Sequence, residues 1–222
     1  MRQYFVTRER QSYSAAFDFE LNENHKLTFK GIFNNRNDWE NRYRTNLKDI
    51  SPEGVAEVRI QTKAGTPDQR NARLERQRTL DLTLGGDNRA GIFDIDWKLG
   101  YASASEYRPH ERYLDFRLKK QSFGFDLDNL RKPYAYPLEG STMTLDDSFG
   151  LKELTEQFQD ITERDLKTQI DFKTDITAQS RLKFGAKYVN KTKKRELDFY
   201  DYTPVDKNGF MADACLLYTS PS

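Results

Sequence analysis

Three features of the sequence predict an all-β chain, an antiparallel meander of about six long strands forming an open curved sheet. The first is unbroken alternation. From Asp165 to Asp175, Leu166, Thr168, Ile170, Phe172 and Thr174 hold one parity, while Lys167, Gln169, Asp171 and Lys173 hold the other. Successive strand side chains point to opposite faces, so this stretch has one apolar and one charged face. The second is an asymmetry of connections, with tight polar turns alternating with long polar segments. The third is that no run approaches the roughly 18 apolar residues of a membrane helix, although aromatic residues reach 13% in a chain of mean hydropathy -0.91. A membrane β-barrel is compatible with that combination, because only alternate strand residues meet lipid while lumen and loops stay polar.

Taken in order, the first strand is expected near residues 2–21, with Tyr13, Ala15, Phe17, Phe19 and Leu21 on one face. Asn22-Glu23-Asn24 reads as a turn, and Leu27, Phe29, Gly31 and Phe33 carry the apolar face back along a second strand near 25–36. Both strands use odd positions, so the loop has an odd number of residues; a loop at Asn22–Asn24 sets Phe17 opposite Phe29 and Glu20 opposite Lys26, both favourable cross-strand pairs. Residues 37–70 read as a long loop, with a possible short hairpin near Val55–Gln61. Strands near 71–85 and 89–105 follow, with Leu80, Leu82 and Leu84 on even positions and Phe93, Ile95, Trp97, Leu99 and Tyr101 on odd ones. That parity change requires an even-numbered loop, which a two-residue turn within Gly85-Gly86-Asp87-Asn88 supplies. Residues 106–155 read as a second long loop in which Tyr113–Leu118 and Phe123–Leu127 are short strand candidates. Strands near 156–176 and 180–200 then join through Thr177–Gln179, and 201–213 begins a third loop. A strand of roughly 20 residues spans about 65 Å, far beyond the five or six residues of an ordinary strand.

Composition excludes several function classes. With 36 Lys+Arg against 35 Asp+Glu, the net charge of +1 makes no electrostatic case for nucleic acid. The single Cys215 forms no intrachain disulfide. Met1-Arg2-Gln3-Tyr4-Phe5 lacks the regions of a signal peptide, so a barrel protein with this sequence is expected to be an internal piece of a longer one.

The stretches Ala16–Gly31 and Asp165–Asp175, the latter with Ser180–Tyr188, resemble the barrel of TonB-dependent receptors, closest to the proteobacterial subfamily linked to carbohydrate and other large-nutrient uptake. The resemblance covers most of residues 10–205 and makes 1–212 a partial barrel. It implies a barrel of about 22 strands, a plug domain and a TonB box. It further implies the bacterial outer membrane as location, and active uptake of a carbohydrate, siderophore or similar nutrient. The implied partners are outer-membrane lipid, lipopolysaccharide and the TonB–ExbB–ExbD complex. No plug or TonB box is found in these residues. Two other classes compete: a lipopolysaccharide-assembly barrel and a secreted all-β binding protein. The tail 214–222 resembles translated sequencing-adapter sequence and is expected to be non-native, leaving Cys215 without a role.

No residue constellation suggests an enzyme or a cofactor. His25 is expected in a turn and His110 in a long loop, with no cysteine or carboxylate cluster at ligand spacing. Ser141 and Ser148 lack a G-x-S-x-G frame, and Gly85-Gly86 lacks the lysine of a phosphate loop. The basic run Lys191–Arg195 reads first as a solvated strand end, with lipopolysaccharide contact as the alternative. Trp97 and Tyr101 fit an interfacial aromatic girdle. The ligand-contacting candidates are Tyr107, Tyr134 and Tyr136, whose faces suit stacking on a sugar ring.

Overall fold

A computed structural model describes residues 1–202; the expected loop from 203 onward and the tail 214–222 lie outside the described residues. The chain is all-β, and every strand pair is antiparallel. The strands are β1 (Arg2–Asn22), β2 (His25–Lys48), β3 (Val55–Ala64), β4 (Arg73–Ala90), β5 (Phe93–Asp126), β6 (Tyr134–Pro137), β7 (Gly150–Thr177) and β8 (Ser180–Tyr202). One 3-10 turn, Pro67–Gln69, separates β3 from β4.

The pairing resolves into a meander of strand positions β1, β2, β3 with β4, β5, β7 and β8. β4 pairs with β2 over His25–Glu40, and β3 pairs with the continuation Arg42–Lys48. On the other side, β4 and β3 fill successive stretches of β5. Thus β3 and β4 lie end to end in one gap, and the closed circuit of pairings through β2, β3, β5 and β4 follows from that placement. Among the described residues β1 pairs only with β2, and β8 only with β7.

Two expected loops contain much of the sheet. Residues 37–70 carry the end of β2 and all of β3, which pairs with β2 and β5 rather than forming its own hairpin. Residues 106–155 carry the rest of β5, β6 and the start of β7. Both histidines consequently sit on strands, His25 opening β2 and His110 in β5. The second turn also moves. Gly85–Asn88 lies within β4, and the chain reverses at Gly91-Ile92, with Ala90 opposite Phe93 and Gly91 at φ +61°. The loop still has the even length that parity demands. Gly86 faces Trp97, and a Cβ there would stand 2.5 Å from the indole nitrogen. The glycine is in the strand because the indole lies across it.

The first hairpin keeps the expected register, with Phe17 opposite Phe29 and Glu20 opposite Lys26. β7 and β8 set Phe172 opposite Phe184, ring centroids 5.1 Å apart and stacked. Both hairpins shift register by one residue at the turn, between Glu20 and Asn22 and between Asp175 and Thr177.

Candidate functional site

Following the registers across the sheet sorts every side chain onto one of two faces, because directly opposed residues point the same way. The first, the banded face, carries Tyr13–Leu21 of β1, Leu27–Phe33 of β2, Leu80–Leu84 of β4, Phe93–Tyr101 of β5, Leu166–Phe172 of β7 and Leu182–Tyr188 of β8 at alternate positions. These segments stand side by side. The turns Glu23-Asn24, Gly91-Ile92 and Ala178-Gln179 close the sheet directly below them. Above them runs a polar row, Gln11, Asn35, Arg78, Ser105, Thr162 and Lys194, each residue opposite the next. The upper border of the band steps down across the sheet, from Tyr13, Phe33 and Leu80 to Tyr101 and Leu166 and then to Tyr188. From Tyr13 to Leu21 the band measures about 27 Å along the strand, or roughly 21 Å in height at the 35–45° tilt of membrane barrels.

The band is uncovered: Phe17 is 52% exposed, Phe19 51% and Phe184 49%. Further up the same face the arrangement reverses over β3, β5 and β7, while Phe5, Tyr43 and Tyr200 on the outer strands stay exposed. Ala56, Val58, Leu114, Phe116 and Phe123 form a core with Phe149, against which Met143 and Leu145 also pack. The segment between β6 and β7 thus lies over β3, β5 and β7 as a strap. Nearby, the Arg70 guanidinium sits 4.1 Å from the Trp39 ring and also reaches Glu9.

The opposite, charged face holds an ion-pair network level with the upper end of β4. Asp38 and Glu75 stand directly opposite each other on β2 and β4, an unfavourable pairing of like charges. Guanidinium groups offset it. Arg8 donates to both oxygens of Asp38 at 2.7 and 2.8 Å. Glu75 is reached by Arg36 at 3.1 Å, Arg73 at 2.7 Å and Arg108 at 2.9 Å, and accepts from Gln77 at 2.8 Å. Arg108 continues to Glu106, which also accepts from Gln159, and Arg73 continues to Glu111, which is paired with Lys63. Asp38, Glu75 and Glu111 are buried. Buried carboxylates persist only with such partners, since removing one leaves a desolvated charge. The network joins β1, β2, β3, β4, β5 and β7 and holds them in register. It supplies donors and acceptors but no activated nucleophile.

The tyrosine candidates separate. Tyr134 and Tyr136 stack on β6, centroids 6.2 Å apart, exposed, with Tyr136 seated over Gly124. Tyr107 lies on the banded face of β5, opposite Arg76 and Asp160. β6 pairs with β5 at Phe123–Asp126, so roughly 60 Å of strand separates Tyr107 from the pair. One site does not contain all three.

The remaining residues singled out from sequence have local partners. His25 Nδ1 lies 2.9 Å from Asn88 Oδ1. His110 Nδ1 lies 3.2 Å from Glu156, with its ring edge-on to Phe158. Burial works against the Glu156 carboxylate, but hydrogen bonds from Arg112 and His110, and their charges, outweigh it and hold the group below its ordinary range. Ser148 bonds Asp146, and Ser141 accepts from the Ser122 backbone N–H. Among the described residues no three His, Cys, Asp or Glu are placed to hold a metal ion. The run Lys191–Arg195 divides between faces, with Lys191, Lys193 and Arg195 on the charged face and Thr192 and Lys194 on the banded one. It therefore does not act as one patch. A depression of about 420 Å³ at the turn end is lined by Glu20, Lys26, Asp87, Asp96 and Lys173.

No family model matches the chain, and no curated protein matches it.

Proposed function

We propose that this chain is part of the wall of a large outer-membrane β-barrel, of the TonB-dependent receptor type, that takes up a scarce nutrient by energy-coupled transport. The observation that carries the reading is the continuous apolar band, bordered on one side by short turns and on the other by polar residues and long strand extensions. Outer-membrane barrels have an outward apolar band about 25 Å tall, short periplasmic turns and longer extracellular parts. A lone edge in hydrocarbon leaves backbone groups unsatisfied, each costing several kcal/mol, so the edges of β1 and β8 call for further strands. On this reading the banded face meets lipid and lipopolysaccharide, the charged face lines the lumen, and the Tyr134–Tyr136 stack stands at the cell surface to meet a carbohydrate-like ligand.

Antibody raised against this chain tests the reading in the bacterium that makes it. The antigen is expected in the outer-membrane fraction, and cells lacking the gene, or the TonB–ExbB–ExbD complex, are expected to lose uptake of the same nutrient. Antigen in the periplasm, or uptake indifferent to the coupling complex, overturns it. The lipopolysaccharide-assembly alternative predicts instead a defect in surface lipopolysaccharide with nutrient uptake intact.

A further inference from the structure

The charged face becomes strongly basic at β8. Arg181, Lys183, Lys187, Lys191, Lys193 and Arg195 all occupy it. β7 neutralises only part of this charge. Asp175 pairs with Arg181 at 2.6 Å, and Glu163 serves both Lys191 and Lys193. Arg195 finds the neutral Gln159. Lys183 stands directly opposite Lys173, and Lys187 opposite Gln169. Asp171 leans across Gly185, where a Cβ would come 2.4 Å from its oxygen, but it forms no ion pair with either lysine. Among the described residues, the same strand has an unpaired edge on its far side.

We infer that β8 is completed by an antiparallel strand carrying Asp or Glu on the charged face, opposite Lys183, Lys187 and Lys193, and that this strand is not β1 of a second copy. Opposite charges across a strand pair are stabilising and like charges destabilising, so the surplus selects its neighbour. β1 fails that requirement. Levelling its apolar band and turn end with those of β8 sets Leu21 against Leu182 and Phe19 against Phe184. Glu20 then meets Lys183, but Ala16 meets Lys187, Arg10 meets Lys193 and Arg8 meets Arg195. The inference rests on the barrel reading for the existence of a next strand, and on the charge pattern for its identity.

The test uses the whole chain in dodecylmaltoside micelles and three rhodamine-labelled strand peptides of about 13 residues, long enough to cover the stripe. All share Leu and Phe on one parity and carry Glu, Gln or Lys on the other. The Glu peptide is expected to bind at least about tenfold more tightly than the Gln peptide at low salt, with the preference removed by screening near 0.5 M salt. K183E/K187E/K193E is expected to transfer the preference to the Lys peptide, and K187E alone to weaken Glu-peptide binding should the triple variant aggregate. A photo-crosslinker at Val189 should capture the Glu peptide while one at Val6 does not. Equal binding of the three peptides, no binding, a preference untouched by the reversals, or capture at Val6 overturns the inference. So does a disulfide between S14C and V189C in a C215S background, which places β1 against β8. If the chain is instead soluble and monodisperse without detergent, the membrane reading fails, while the charge preference is still measured in buffer.

Discussion

Over its middle strands, β3, β5 and β7, the banded face treats apolar side chains in opposite ways above and below the polar row. Above the polar row, Val58 and Phe149 are 0% and 1% exposed because the strap between β6 and β7 covers the sheet. Below it, Phe17, Phe19, Leu99, Ile170 and Phe184 are exposed along a continuous band. The same face, and in β5 and β7 the same strands, is covered where the proposed barrel rises into water and bare where the proposed bilayer would surround it. An apolar band of this extent left to water favours aggregation. On the proposed reading the lower half is built for a different solvent, and each prediction below sets one half against the other.

The largest effect is expected at the strap. Phe149→Ala should cost roughly 3–5 kcal/mol of local stability, as deletions of buried aromatic rings do. The strap should become sensitive to protease while the β1–β2 and β7–β8 hairpins stay protected. Uniform loss of protection would mean that the upper core also holds the lower half. Next comes Phe172→Arg, expected to cost roughly 2–4 kcal/mol if the residue lies near the bilayer midplane, against a much smaller effect of Asp171→Asn on the other face. Equal tolerance at the two positions, measured by urea titration in lipid, would erase the distinction between the faces. Gly86→Val places a side chain where the Trp97 indole lies and should cost roughly 1–3 kcal/mol by overpacking, with a shift in Trp97 emission as the readout.

The smallest effect concerns pH. Glu156, beyond the band, has its carboxyl pKa depressed in the folded state, so its contribution to stability is present above the ordinary carboxylate range and is lost as pH falls through the lower folded value. Amide protection factors around Arg112 and Glu156, corrected for the intrinsic exchange rate at each pH, should fall below about pH 4.5 in the parent, and the fall should be blunted in Glu156→Gln. An unchanged profile in that variant would assign the acid sensitivity to another group.

How much was legible in the sequence follows the same division. In the lower half one face is apolar and the other charged, so alternation exposes the strands, and the Phe17–Phe29 pair marks the first hairpin's register. In the upper half of β2, Asn35, Asn37 and Asn41 alternate with Arg36, Asp38 and Glu40. Both faces are polar there, no hydropathy period exists, and a paired strand reads as a loop. Its order comes from Glu75, Arg73 and Arg108 on other strands, a proximity that local sequence does not announce. Gly85-Gly86 misled for a related reason: a turn-forming dipeptide and a glycine yielding to a cross-strand indole look alike until the partner is known. Tyr134 and Tyr136 read as loop residues, because the four-residue strand that stacks them, like its separation from Tyr107, depends on where β6 pairs with β5.

The two tryptophans allow the central claim to be measured directly. Both lie on the banded face, Trp97 within the band and Trp39 above the polar row against Arg70. Single-tryptophan variants, W39F and W97F, can be examined in micelles of a brominated alkyl detergent, whose bromine quenches only indoles in contact with the apolar phase. The account predicts strong quenching and blue-shifted emission from Trp97 in W39F, and weak detergent quenching with ready quenching by aqueous iodide from Trp39 in W97F. Equal quenching of the two, or stronger detergent quenching of Trp39, would contradict the claim that the lower half alone is built to face lipid.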